Sequence, residues 1–98
     1  MLETAKISEI ARQVAGKRFE QGSVERVISE PATDSNGNEA LRITLVLRPN
    51  VVRKLSGDSV LDTLVDIRRN LQSAGEDRLA IIEYATQAEL DAGGDPQS

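Results

Sequence analysis

Residues Asp58 to Gly75 constrain the fold more than any other stretch. Val60, Leu64, Ile67 and Leu71 recur at i, i+4, i+7 and i+11, and Leu61 and Val65 widen the stripe. Residues three and four apart lie above one another on a helix, so the spacing predicts an amphipathic helix. Asp62, Asp66, Arg69, Asn70 and Ser73 fall largely on the opposite side. Asp58 or Ser59 is expected to cap its start, and Gly75 to follow its end in a left-handed conformation. All six apolar side chains are expected to be buried, at about 1.5–3 kcal/mol each. A helix this short is marginal alone in water, so it needs a surface to lie on.

The flanking sequence supplies strands for that surface. Leu41, Ile43, Leu45 and Leu47 alternate with Arg42, Thr44, Val46 and Arg48. Strict alternation predicts a strand over 41–48 with one buried and one largely wet face. Val24, Val27 and Ile28 mark an earlier strand over 23–29 whose imperfect alternation suggests a bulge. Pro31 is expected to stop its pairing. Asn36-Gly37 is a strong turn pair, so these two strands form an antiparallel hairpin. Leu79 to Ala85 reads as a third strand, reached by a long crossover that favours a parallel pair. The order 1-2-3 puts the strongest strand at the centre; the alternative places strand 3 beside strand 1.

Ile7, Ile10, Ala11 and Val14 predict a first helix from Thr4, as its cap, to Ala15, with Gly16 ending it. Residues 50–55 suit one short helical turn, with Val51, Val52 and Leu55 inward. Thr86 and Glu89 have the spacing of a capping box, so a last turn to about Ala92 is expected. The fold class is therefore α+β, in the order α-β-β-(short α)-α-β, with two main helices on one face of a three-stranded sheet. At 98 residues the chain makes one domain. That domain is expected over 1–92, and the Gly, Pro and polar composition of 93–98 predicts a disordered tail.

Composition removes several chemistries. With no Cys and no His, disulfides, Cys/His zinc sites and histidine acid–base catalysis are excluded. Neither a metal nor a cofactor is expected. Phe19 and Tyr84 are the whole aromatic content, too little for base stacking. No long apolar run or basic-then-apolar leader is present, so no membrane contact is expected and cytoplasm is the expected compartment. All 12 Lys and Arg lie before residue 79, whereas Glu83, Glu89, Asp91 and Asp95 follow it. The acidity thus belongs to the last strand and tail, and the rest is balanced.

Two places could carry function. Arg48, Arg53 and Lys54, with Ser56 and Gly57, could bring positive charge to a helix start, where free N–H groups favour anions or nucleic-acid phosphates. The competing reading is a solvated turn whose helix start is filled by Asp58. The face bearing Arg42, Thr44, Val46 and Arg48 could contact a second copy or another protein, since a one-layer sheet leaves a face and edges to cover. Asp34 and Glu39 lack the pairing that acid–base work needs, and no glycine pattern forms a phosphate loop. No catalytic residue is therefore assigned.

The element order resembles the class II KH-like arrangement. The runs Leu41-Arg-Ile-Thr-Leu-Val-Leu47, Leu55-Ser-Gly-Asp-Ser-Val-Leu61 and Leu79-Ala-Ile-Ile-Glu-Tyr-Ala-Thr-Gln-Ala-Glu-Leu90 are similar in layout to the BolA family. That resemblance implies the same sheet and helices. It carries over no functional residue: BolA-like iron–sulfur work is associated with histidine and partner cysteines, and KH binding with a Gly-x-x-Gly loop, where this chain has only Gly57. A further similarity is to short bacterial proteins encoded beside HEPN-type toxins, through Asp34-Ser-Asn-Gly37, the 41–47 run, Asp62-Thr-Leu64 and the closing Ile-Ile-Glu-Tyr-Ala-Thr. The resulting expectation is a non-enzymatic protein-interaction module, homodimeric or an antitoxin-like partner of another protein. The alternative is a KH-like nucleic-acid binder using the small basic cluster.

Overall fold

The computed structural model describes residues 1–93. Its elements are α1 (Thr4–Arg18), β1 (Val24–Thr33), β2 (Glu39–Leu47), α2 (Pro49–Arg53), α3 (Gly57–Ser73), β3 (Leu79–Ala85) and α4 (Gln87–Gly93). One three-stranded sheet has the order β1-β2-β3, antiparallel between β1 and β2 and parallel between β2 and β3. This is the α+β class and the strand order with β2 at the centre. Gly93 closes α4, and the rest of the expected tail, 94–98, lies outside the described residues.

The core lies between one sheet face and α1 and α3. Leu41, Ile43, Leu45 and Leu47 of β2 meet Ile7, Ala11, Val14 and Ala15 of α1, Ile67 and Leu71 of α3, and Ala80 of β3. Ala11 and Ala15 are completely buried, and their small side chains let α1 approach the sheet closely. Val51, Val52 and Leu55, from α2 and just after it, pack partly against the same cluster, and Pro49 opens that helix as its fixed φ favours.

Several expectations are corrected. Ser56, rather than Asp58 or Ser59, caps α3: its hydroxyl oxygen accepts from the Ser59 N–H at 3.0 Å. Leu61 and Val65 are exposed, while Thr63 is fully buried, so the apolar stripe is narrower than six residues. Thr63 tolerates burial because its hydroxyl donates to the Ser59 carbonyl at 2.8 Å. α1 runs through Gly16 to Arg18 and has no side-chain cap at its start. A glycine inside a helix costs about 1 kcal/mol. Arg18 offsets this by bonding Asp66 of α3, and Phe19 by returning to the core. Pro31 does not stop β1, which pairs on to Thr33. β1 is an edge strand, where a missing N–H is tolerated when it faces outward. The bulge between Val24 and Arg26 lets both Val24 and Val27 face the core.

The end of α3 follows the predicted pattern. Gly75 has φ +102°, the Glu76 N–H donates to Leu71 O at 2.9 Å, and the Gly75 N–H to Gln72 O at 3.0 Å. These two bonds make a Schellman cap. The Thr86–Glu89 capping box also forms, with the Thr86 N–H donating to Glu89 Oε1 at 2.9 Å and the Glu89 N–H to Thr86 Oγ1 at 3.1 Å. The hairpin turn is built on Asp34, whose Oδ1 accepts from the N–H groups of Asn36 and Asn38, both at 2.9 Å. Those bonds hold the Asp34 carboxyl below its usual range, the Asn38 N–H being the largest cause.

Candidate interaction surfaces

The sheet's second face is set by register. Across the strands it presents Arg26, Val46 and Ala85; then Ile28, Thr44 and Glu83; then Glu30, Arg42 and Ile81; then Ala32, Ala40 and Leu79. The core side chains of α1 and α3 lie on the other face, so these two helices leave it uncovered. Arg42 stands between two carboxylates, 3.5 Å from Glu30 and 3.6 Å from Glu83. All three side chains are about half exposed, so the pairs set register more than they stabilise.

This face is not the wet one that alternation predicts. Val46 is fully buried and Thr44 is 9 % exposed, so neither is a contact residue. Val46 lies between Arg26 and Ala85 in the register, and Arg26 donates to Gln87 Oε1 at 3.1 Å, a bridge from β1 to the first residue of α4. The accessible apolar groups are instead Ile28 and Ile81, half-buried, and Leu79, 46 % exposed. Their signal was present in Val27-Ile28 and Ile81-Ile82. Two adjacent β-branched residues in a strand put one on each face, which indicates a sheet apolar on both sides.

The expected basic cluster does not converge. Arg48 leaves the sheet as the residue before α2, and its guanidinium lies against Gly22, where an added Cβ would sit 3.1 Å from Nη2. Gly22, at φ +84°, suits that approach. Arg53 is exposed at the end of α2, and Gly57 is the first residue of α3. Lys54 alone reaches the cleft beside the start of α3, a space of about 240 Å³ lined also by Arg18, Phe19, Glu20, Ser23, Val51 and Ser59. Arg18 is already held by Asp66, and Ser56 with Asp58 occupies the helix start. The site that alternation and charge spacing suggest is therefore divided among separate places.

A buried ion pair was missed by sequence reasoning. Glu76 is 2 % exposed, and its carboxylate accepts from the Leu2 N–H at 2.8 Å, the Arg78 N–H at 2.9 Å and the Arg78 guanidinium at 2.9 and 3.0 Å. Arg78 also donates to the Leu2 carbonyl at 3.2 Å. The Arg78 guanidinium holds the Glu76 carboxyl down to about 2, with the two backbone N–H groups assisting against burial. Its role is to fasten the N-terminal residues to the loop before β3. The i, i+2 spacing of Glu and Arg is too common to have signalled it.

Among the described residues, no group of three or more carboxylates is placed to hold a metal ion, and no helix is long and apolar enough to cross a membrane. No protein-family model matches the chain, and neither curated proteins nor solved structures provide a match.

Proposed function

We propose that this chain is a small non-enzymatic protein-interaction module that works through its sheet, with a second copy of itself as the first occupant. The observation that supports this is the face opposite the core, where Ile28, Ile81 and Leu79 surround the Glu30–Arg42–Glu83 charge cluster. Arg26 and Arg42 balance Glu30 and Glu83, so two such faces meet without net repulsion. Three strands about 4.8 Å apart and about seven residues long give roughly 330 Å² of face. A stable interface needs about 800 Å² per partner, so the self-contact is weak and concentration-dependent. The chain is suited to assembling with another protein as an antitoxin-like partner would, the self-contact being exchanged for a larger one.

The experiment is a methyl-labelled NMR dilution series. On this reading the Ile28 and Ile81 methyl signals move with protein concentration, while those of Ile7 and Ile43, in the core, stay fixed. Signals that are independent of concentration for Ile28 and Ile81 would remove the second copy as occupant. The nucleic-acid reading receives no such support, because Arg48 and Lys54 are directed to different places.

A further inference from the structure

We propose that the free edge of β3, at Ile82 and Tyr84, accepts an extended segment of another protein as a fourth strand, with an apolar side chain on Leu61 and a basic one opposite Glu83. This rests on the reading of the chain as an interaction module, but it uses the edge and not the face.

β3 ends the sheet, so one side of its backbone has no strand partner. Arg68 shows which groups point that way: its Nε and Nη2 donate to the Ala80 carbonyl at 3.0 and 2.9 Å. N–H and C=O groups of alternate residues point to the same side of a strand, so Ile82, Tyr84 and Thr86 follow Ala80 outward. Arg68 occupies the Ala80 carbonyl, and the capping box takes the Thr86 N–H. The open stretch is therefore bounded at both ends, with the backbone groups of Ile82 and Tyr84 between.

An apolar shelf accompanies this stretch. Leu61 lies seven residues before Arg68, two turns along the same side of α3. That is about 10 Å of helix, or about three residues of strand, which brings Leu61 from the level of Ala80 to that of Glu83 and Tyr84. Met1, Leu61, Val65 and Leu79 are the large apolar side chains exposed among the described residues. Two of these four, Leu61 and Val65, belong to α3, whereas Leu79 lies on the opposite face of the sheet.

Charge selects the occupant. Glu83 is about half exposed on the strand, Glu89 and Asp91 follow in α4, and no Lys or Arg occurs after Arg78. A second copy fits poorly, since two-fold pairing of β3 with itself is antiparallel and each register meets an obstacle. Setting Ile82 opposite Tyr84 of a second copy puts Glu83 against Glu83, and like charges directly opposite are destabilising. Setting Ile82 opposite Ile82 needs the Ala80 carbonyl that Arg68 holds, and Tyr84 opposite Tyr84 needs the Thr86 N–H that Glu89 holds. An extended segment alternating apolar and basic residues meets none of these obstacles and adds main-chain bonds as β-augmentation does.

The test is amide hydrogen exchange on the full chain, read by NMR at Ile82 and Tyr84, with short amidated peptides as probes. One alternates valine and lysine, and a second alternates valine and glutamate. In the free chain both amides should exchange fast; the lysine peptide should slow them at least about tenfold and the glutamate peptide should not. Leu61→Asp, at an exposed position, should abolish that protection, and Ile81→Asp, on the sheet face, should retain it. Protection in the free chain, protection by both peptides, or protection by neither would overturn the proposal. Loss of the edge effect with the concentration-dependent shifts of Ile28 and Ile81 intact would remove this proposal and leave the module reading standing.

Discussion

The Glu76 carboxylate accepts the Leu2 main-chain N–H at 2.8 Å, joining residues 74 positions apart. With Arg78 it makes the only buried ion pair among the described residues, and it anchors the chain ahead of α1 to the loop that launches β3. Glu76→Gln keeps the shape and removes the charge that Arg78 and Leu2 need. Breaking a buried pair in this way should cost about 3 kcal/mol at neutral pH in urea melts. The pH dependence has a definite sign. The folded carboxyl titrates near 2 instead of 4.5, so the unfolded chain binds the proton more readily between those values. The stabilisation is complete above about 4.5 and is lost as pH falls toward about 2. The wild type should lose stability faster than Glu76→Gln across that window, and parallel curves would contradict the assignment.

Burial along α3 orders its leucines and isoleucines. Ile67 is fully buried, Leu64 is half-buried and Leu61 is 56 % exposed. Ile67→Ala should cost about 2–5 kcal/mol as a core truncation, Leu64→Ala less, and Leu61→Ala no more than about 0.5 kcal/mol. Equal costs at all three positions in denaturant melts would mean that α3 is rotated from the arrangement described.

Tyr84 packs edge-on against Phe19, with ring centroids 6.5 Å apart, while its buried hydroxyl has no hydrogen-bond partner among the described residues. Burial pushes the phenol above its usual range, with the Thr63 hydroxyl offsetting part of the effect. The Thr63 hydroxyl donates to the Ser59 carbonyl at 2.8 Å and makes no hydrogen bond with the phenol. Tyr84→Phe should therefore be neutral or stabilising by up to about 1 kcal/mol. A loss above about 1 kcal/mol in thermal unfolding would show that the hydroxyl has a partner.

Gly75 adopts φ +102° at the end of α3 and has open space around the position of a Cβ. Gly75→Ala should cost about 1–2 kcal/mol from backbone conformation alone. Ser56→Ala, at the other end, should cost about 1 kcal/mol through loss of the cap. These positions are far apart, so the double variant should lose the sum in urea melts.

The fold was legible in the sequence where local signals agreed. The alternation in 41–47, the Asn36-Gly37 turn, the Thr86–Glu89 box and Gly75 each specify a conformation through a short-range mechanism. Boundaries failed where tertiary contact overrode a local breaker: Arg18 and Phe19 carry α1 past Gly16, and the edge position of β1 accepts Pro31. The candidate site was less legible. Alternation in β2 shows which side chains share a face but not what crosses it, and the Arg26–Gln87 bridge joins residues 61 positions apart. The approach of Arg68 to the Ala80 carbonyl likewise depends on how α3 lies against the strand, which periodicity alone does not give.

The claim that the sheet is the working surface is tested most directly by molar mass as a function of concentration. Light scattering on the full chain and on an Ile28→Asp, Ile81→Asp variant gives that mass without labels. The wild type should rise from 10.6 kDa toward twice that value as concentration increases, while the variant stays at 10.6 kDa and remains folded. A wild type fixed at 10.6 kDa over the whole range, or a variant that associates as the wild type does, would contradict it.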